Sequence, residues 1–129
     1  MAEIIEVLDT SKFQQTLDAV SQEQDFVIVI FTGTVDPATG KNWCPDCEVA
    51  KPNINNILLK NTEGKVIKCI VQRAEWSGKA DHPYKTNPFL KVRGVPTIVL
   101  INNGSIVMRA EKDEDFENED LLMMIAKHE

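Results

Sequence analysis

The sequence has only three cysteines, no long apolar run and no excess of positive charge, and each absence narrows the possible functions. The longest apolar run, Phe26 to Phe31, is too short to cross a membrane and is typical of a buried strand. The 20 acidic side chains outnumber the 14 basic ones, for a net charge of −6. Nucleic acids and anionic membranes are themselves densely negative, so we expect neither as a partner.

The start of the chain lacks a basic segment followed by an apolar core and a small-residue cleavage site, the pattern of a secretory signal peptide. This predicts a cytosolic protein, and cytosolic disulfides are rarely structural. Three cysteines also leave one unpaired, so a full disulfide framework is not expected. The 129 residues fit a single domain over residues 1–129.

Hydrophobic periodicity predicts alternating strands and helices. We expect strands over 4–8, 26–31, 65–71, 97–101 and 105–108, and helices over about 11–22, 44–60 and 118–128. Residues 72–88 are expected to form a polar connection, with a short helical piece near Phe89, and the acidic run 111–119 a solvated approach to the last helix. This order predicts an α/β protein with a central mixed β-sheet and helices on both faces.

The segment Trp43-Cys44-Pro45-Asp46-Cys47 places two cysteines three residues apart at the start of the second predicted helix. At that spacing the two sulfurs can join in a disulfide or open to two thiols. Free backbone N–H groups and the helix dipole favour a thiolate at Cys44, and the thiolate is the species that attacks a disulfide. Cys47 is within reach to resolve the mixed disulfide, and we expect it to be buried. Pro45 suits a first helical turn.

Zinc binding is the main alternative for these cysteines, but tetrahedral zinc takes four ligands. Outside the pair only Cys69, His82 and His128 remain, so no metal site is expected. Cys69 lies within an apolar strand and is expected to be a small buried residue. We expect both histidines at the surface, and Trp76 and Tyr84 to serve in local packing.

The chain resembles the thioredoxin-fold family over nearly its whole length. The resemblance rests on the strand that leads into Trp43-Cys44-Pro45-Asp46-Cys47, on Pro52 five residues beyond the second cysteine, and on the segment Gly94-Val95-Pro96-Thr97 before a strand. Within that family, the strand end Phe31-Thr32-Gly33, the long loop and the W-C-P-D-C motif resemble the thioredoxin-related 14-kDa proteins, also called thioredoxin domain-containing protein 17.

The resemblance implies a role for each matching residue. Cys44 would be the nucleophile and Cys47 the resolving thiol, and the Val95–Pro96 bond would be cis beside the dithiol. Trp43 flanks the nucleophile, and we expect it at the rim of the site rather than in the core. It also implies a cytosolic disulfide reductase without a bound cofactor, which takes electrons from NADPH through thioredoxin reductase. The implied substrates are client proteins and small disulfides such as cystine, and a dynein light chain is an implied partner.

The sequence departs from ordinary thioredoxins at two places near the motif. Ile30 occupies the position of a buried aspartate that assists proton transfer at the second cysteine, which leaves the base for Cys47 open: a water or a loop carboxylate such as Asp36 could substitute. Asp46 and Glu48 are acidic and oppose a nearby thiolate, whereas Lys41 acts in the other direction. The loop over 33–42 is also longer and is expected to limit the docking of large protein disulfides.

Two other functions compete with the reductase. Cys-Pro-x-Cys also suits glutathione-dependent, glutaredoxin-like chemistry, but Thr97-Ile98-Val99 stands where glutaredoxins carry paired glycines after the cis-proline. A redox-sensitive binding module for a signalling partner would use the same surface, and the sequence does not separate it from an enzyme.

Overall fold

A five-stranded mixed β-sheet forms the centre of the protein, in a computed structural model that describes residues 2–128. The strands are β1 (Ala2–Val7), β2 (Phe26–Gly33), β3 (Gly64–Val71), β4 (Thr97–Asn102) and β5 (Ser105–Ala110), in the order β1-β3-β2-β4-β5. The first three are parallel, and β4 and β5 form an antiparallel hairpin beside β2. The hairpin turns at Asn103 and Gly104, both with positive φ, as an asparagine–glycine turn requires.

The helices are α1 (Phe13–Glu23), α2 (Pro45–Asn53), α3 (Arg73–Trp76), α4 (Pro83–Thr86), α5 (Asp113–Glu117) and α6 (Glu119–Lys127). Helix α1 packs on one face of the sheet, and α2 and α6 pack on the other. Strand β2 is apolar at successive residues because both of its faces are covered. Val29 and Phe31 belong to the first core, on the side of α1, and Ile28 and Ile30 belong to the second core, on the side of α2 and α6. The predicted α/β class is confirmed. No helix in the described range 2–128 is long and apolar enough to cross a membrane.

The second predicted helix is not one continuous α-helix. Regular α-helix ends at Asn53, and the chain continues as a π-helical turn over Ile54–Leu58 and a 3₁₀ turn over Leu59–Asn61. Pro52 explains the change, since its missing N–H interrupts the regular pattern of hydrogen bonds at the end of α2. The second predicted helix therefore changes type after this proline, and the bend expected there stays a prediction.

The connection over 72–88 contains two short helices, and the helical piece predicted near Phe89 is a turn. The expectation that His82 lies at the surface is wrong, because it is only 5% exposed. Its Nδ1 accepts the Tyr84 N–H at 3.1 Å, and its ring lies against Trp76. Burial lowers the pKa of His82, which favours the neutral ring. Trp76 and Tyr84 are buried, which confirms their packing role.

The acidic run over 111–119 is largely exposed, as expected, and part of it forms helix α5. The Asp115 carboxylate accepts the backbone N–H groups of Glu111 and Lys112 at 3.0 and 2.9 Å, which caps the turn. Phe116 is buried against the second core, and its carbonyl accepts a hydrogen bond from Asn53. The other histidine expected at the surface, His128, is partly buried, with its ring stacked on Phe26 at 4.6 Å.

Candidate active site

The cysteine pair lies at the edge of the sheet where β2 and β3 end and β4 begins. Gly33 is paired with Val71, and Phe31 with Thr97. The loop after β2, the start of α2 and the segment before β4 therefore converge at one place. The carboxyl ends of parallel strands are where open α/β sheets usually carry their functional groups.

Cys44 and Cys47 come together at the N-terminus of α2, as the spacing predicts. Cys44 is the N-cap residue, and its Sγ accepts the backbone N–H of Cys47 at 3.2 Å. Both cysteines are free thiols, and both are 5% exposed. Cys47 is buried as expected, but Cys44 is buried to the same degree, so exposure alone does not separate their roles.

The surroundings of the two sulfurs do differ. Burial raises the pKa of the Cys47 thiol well above its ordinary value, and its hydrogen bond with Cys44 acts in the same direction. The Thr32 side chain and the Gly33 backbone also hydrogen-bond to this thiol and lower its pKa. A protonated Cys47 is the form expected of a thiol that waits to resolve a mixed disulfide.

Asn42 connects the loop to the redox pair, a role that the sequence analysis missed. Its Oδ1 accepts the Cys44 N–H at 3.0 Å, and its Nδ2 donates to the Gly33 carbonyl at 2.7 Å and to Thr32 Oγ1 at 3.3 Å. Its backbone N–H donates to the Glu48 carboxylate. In the sequence, this role is indicated only by the position of the asparagine, two residues before the cysteine that begins α2, because asparagine side chains often accept backbone N–H groups near helix starts.

The other motif residues, Trp43, Pro45 and Asp46, lie beside the pair in sequence and have different surroundings. Trp43 is half-buried: its Nε1 donates to the Val71 carbonyl at 3.0 Å, and its ring packs against the first core. Pro45 occupies the first turn of α2. Asp46 is exposed in the same turn, where acidic side chains complement the helix dipole.

The Val95–Pro96 peptide bond is cis, which confirms the prediction for this segment. The Val95 carbonyl lies 3.3 Å from Cys44 Sγ, so Pro96 follows directly on a residue in contact with the first cysteine. Thr97 Oγ1 donates to the Gly94 carbonyl at 2.6 Å and closes the turn that presents Val95.

A cavity of about 330 Å³ lies beside Cys47. It is lined by Cys47 and Glu48 of α2, by Ile30 and Thr32 of β2, and by Lys68 of β3 among others. Asp36, the loop carboxylate considered from the sequence, is exposed and accepts the Ala38 N–H at 2.8 Å within its own loop. Glu48 is the next residue of α2 after Cys47, and its side chain lines the same cavity.

Cys69 is fully buried in the middle of β3, as expected. Burial raises its pKa to about 12, and its thiol is hydrogen-bonded to the Tyr84 side chain. Between residues 2 and 128, no group of three histidine, cysteine or acidic side chains is arranged to hold a metal ion.

We expect Cys69→Ala to leave disulfide turnover within about twofold of wild type, because the buried, protonated thiol takes no part in exchange. Removing the buried sulfur should lower the free energy of unfolding by about 1 kcal/mol. Turnover and urea unfolding of the variant check both expectations. Loss of turnover with unchanged unfolding would place the third cysteine in the reaction.

Comparison with solved structures shows that this sheet and its helices have the arrangement found in thioredoxins. A thioredoxin from Nicotiana alata matches with a TM-score of 0.58 and 23% identity, over 93% of this chain and 91% of that chain. Thioredoxin O2 from Arabidopsis thaliana in its oxidized state matches with a TM-score of 0.60 and 17% identity, over 95% and 94%. At these identities the comparison establishes the fold: the protein has the thioredoxin fold.

Comparison with known sequences identifies one family within the thioredoxin fold. The thioredoxin domain of the thioredoxin domain-containing protein 17-like family matches residues 6–128. The human thioredoxin domain-containing protein 17 is 36% identical over 108 residues, which cover 82% of this chain and 85% of the human protein. The chain therefore belongs to the thioredoxin domain-containing protein 17-like family, a thioredoxin-type redox family that the Cys44 and Cys47 pair fits.

Relatives also occur within longer proteins. The acireductone dioxygenase of Leishmania infantum is 32% identical over 98 residues, which cover 71% of this chain. The chain spans about 28% of the length of that relative.

Proposed function

We propose that this protein is a cytosolic thiol–disulfide oxidoreductase that reduces protein and small-molecule disulfides, and that NADPH recharges it through thioredoxin reductase. The observation that carries the proposal is the position of Cys44. Its sulfur lies at a helix N-terminus, accepts the Cys47 N–H at 3.2 Å and borders Val95, with the second thiol one turn away.

The proposed reaction has two exchange steps. The Cys44 thiolate attacks one sulfur of the client disulfide, and the other sulfur leaves as a thiolate with the electron pair of the broken bond. Cys47 then loses its proton and attacks the Cys44 sulfur, which releases the second client thiolate and leaves a Cys44–Cys47 disulfide. Two electrons from NADPH, delivered by thioredoxin reductase, restore the two thiols.

The rim of the site supports a preference for small or extended disulfides. The loop over 33–42 is braced by the Val35–Asn42 bridge and by the bond from Asp36 N–H to the Lys41 carbonyl at 2.8 Å. An extended client segment would lie against Val95, next to Cys44. A dynein light chain is proposed as a partner on the same surface, by resemblance alone.

An NADPH-consumption assay with cystine tests the proposal and separates the two electron donors. We expect turnover with thioredoxin reductase and none with glutathione plus glutathione reductase. Turnover with glutathione alone would assign the glutaredoxin-like reaction. Absence of turnover with either donor, in a protein that binds a client, would assign the binding module. Cys44→Ser is the control, because it removes the proposed nucleophile and leaves the fold.

A further inference from the structure

The cavity beside Cys47 contains charged groups that the two exchange steps leave without a role. Glu48 and Lys51 reach it from α2, Glu6 from β1 and Lys68 from β3. With Cys47, these are the titratable side chains among the residues that line it. The volume of about 330 Å³ is enough for several water molecules beside the thiol.

The resolving step needs a proton acceptor in this cavity. Cys47 is buried and its thiol is held protonated, whereas the attacking species must be a thiolate. Ile30 of β2, which is paired with Lys68 of β3, has no side-chain group that could accept a proton. The choice of carboxylate therefore falls between Glu6 and Glu48.

Between residues 2 and 128, the Glu48 carboxylate accepts a hydrogen bond that holds it in place, and the Glu6 carboxylate has no such partner. The Glu48 carboxylate accepts the Asn42 N–H, and it follows Cys47 directly in the first turn of α2. Asn42 in turn bonds to the hydroxyl of Thr32, the residue whose side chain bonds to the Cys47 thiol. Glu6 is exposed on the edge strand.

We propose that Glu48 is the proton acceptor for Cys47 when the mixed disulfide is resolved. The inference rests on the proposed disulfide exchange. As the Cys47 sulfur bonds to the Cys44 sulfur, its proton passes across the cavity to the Glu48 carboxylate. The client sulfur leaves with the electron pair of its bond to Cys44, and the Glu48 proton then passes to solvent. Transfer during the attack means that a free Cys47 thiolate need not accumulate.

The two steps can be timed separately by mixing the reduced protein with dithiobis(nitrobenzoate), a disulfide whose released thiolate is coloured. The first thiolate is released at a rate proportional to reagent concentration and reports Cys44. The second is released at a rate independent of concentration and reports Cys47. The test variant is Glu48→Gln, whose side-chain oxygen can still accept the Asn42 N–H. The matched control is Glu6→Gln, which removes a charge from the same cavity.

In Glu48→Gln we expect the concentration-independent step at about pH 6 to slow roughly ten- to 100-fold, since positioned general bases commonly contribute factors of this order or larger. The Cys44 step should stay within about twofold. The difference from wild type should shrink as the pH rises, because hydroxide then removes the proton.

Two results would overturn the assignment of Glu48. One is an unchanged Cys47 step at every pH, and the other is an equal slowing in Glu6→Gln, which would indicate a general effect of charge. Neither touches the proposed function, which fails instead if wild-type protein shows no concentration-dependent Cys44 step at all.

Discussion

Cys47→Ser should accumulate a covalent adduct with a disulfide client, with turnover abolished. Cys44 keeps its helix position, its bond to Asn42 and its contact with Val95, so the attack on the client is preserved. The mixed disulfide then has no internal thiol to resolve it. Non-reducing gels beside the NADPH assay measure the adduct and the turnover.

Cys44→Ser should lose both turnover and adduct formation. The remaining Cys47 thiol is buried and protonated, and it faces the cavity behind the pair. Adducts from Cys44→Ser with none from Cys47→Ser would reverse the assignment of nucleophile and resolving thiol.

Gly33→Ala should damage the site and the fold together. A Cβ at this position would lie 2.4 Å from Asn42 Oδ1 and 2.7 Å from the Trp43 ring. Neither side chain can move away without breaking a hydrogen bond, because Asn42 Oδ1 accepts the Cys44 N–H and Trp43 Nε1 donates to the Val71 carbonyl. We expect a loss of about 1–3 kcal/mol in the free energy of unfolding, and a slower Cys44 reaction even in fully folded protein.

Gly94→Ala is the matched control for stability. Apart from Gly94 and its two neighbours in the chain, no heavy atom of the described residues lies within 4 Å of a Cβ built there, and the φ of Gly94 is not positive. Its free energy of unfolding should be unchanged or higher by up to about 1 kcal/mol. Equal unfolding curves and Cys44 rates for Gly33→Ala and wild type would show that the contacts of Asn42 and Trp43 do not position the nucleophile.

The features of this protein that the sequence predicts are those that depend on residues close together in the chain. The apolar run of β2, the Asn103-Gly104 turn and the position of α1 follow from residues close together in the chain. The spacing of Cys44 and Cys47 placed the pair at the start of α2 because one helical turn brings such residues together.

The features that the sequence does not predict depend on contacts that form only when the chain folds. His82 carries no sequence mark of burial, and it is buried because Trp76 and Tyr84 surround it. From the sequence, Glu48 is predicted only to oppose a nearby thiolate through its charge. Its bond to Asn42 and its place in the cavity arise from the way the loop folds back on α2. Asp115 likewise caps α5 through a geometry that an acidic run does not disclose.

The most direct test of the central claim, a reducing Cys44–Cys47 dithiol, is a redox titration against defined ratios of glutathione and glutathione disulfide, read by mass spectrometry. We predict that one disulfide forms between these two cysteines, with Cys69 remaining a thiol. The midpoint should lie near −270 mV, within roughly 40 mV. A midpoint near about −120 mV would indicate an oxidant, and failure of the pair to form a disulfide at any ratio would contradict the claim outright.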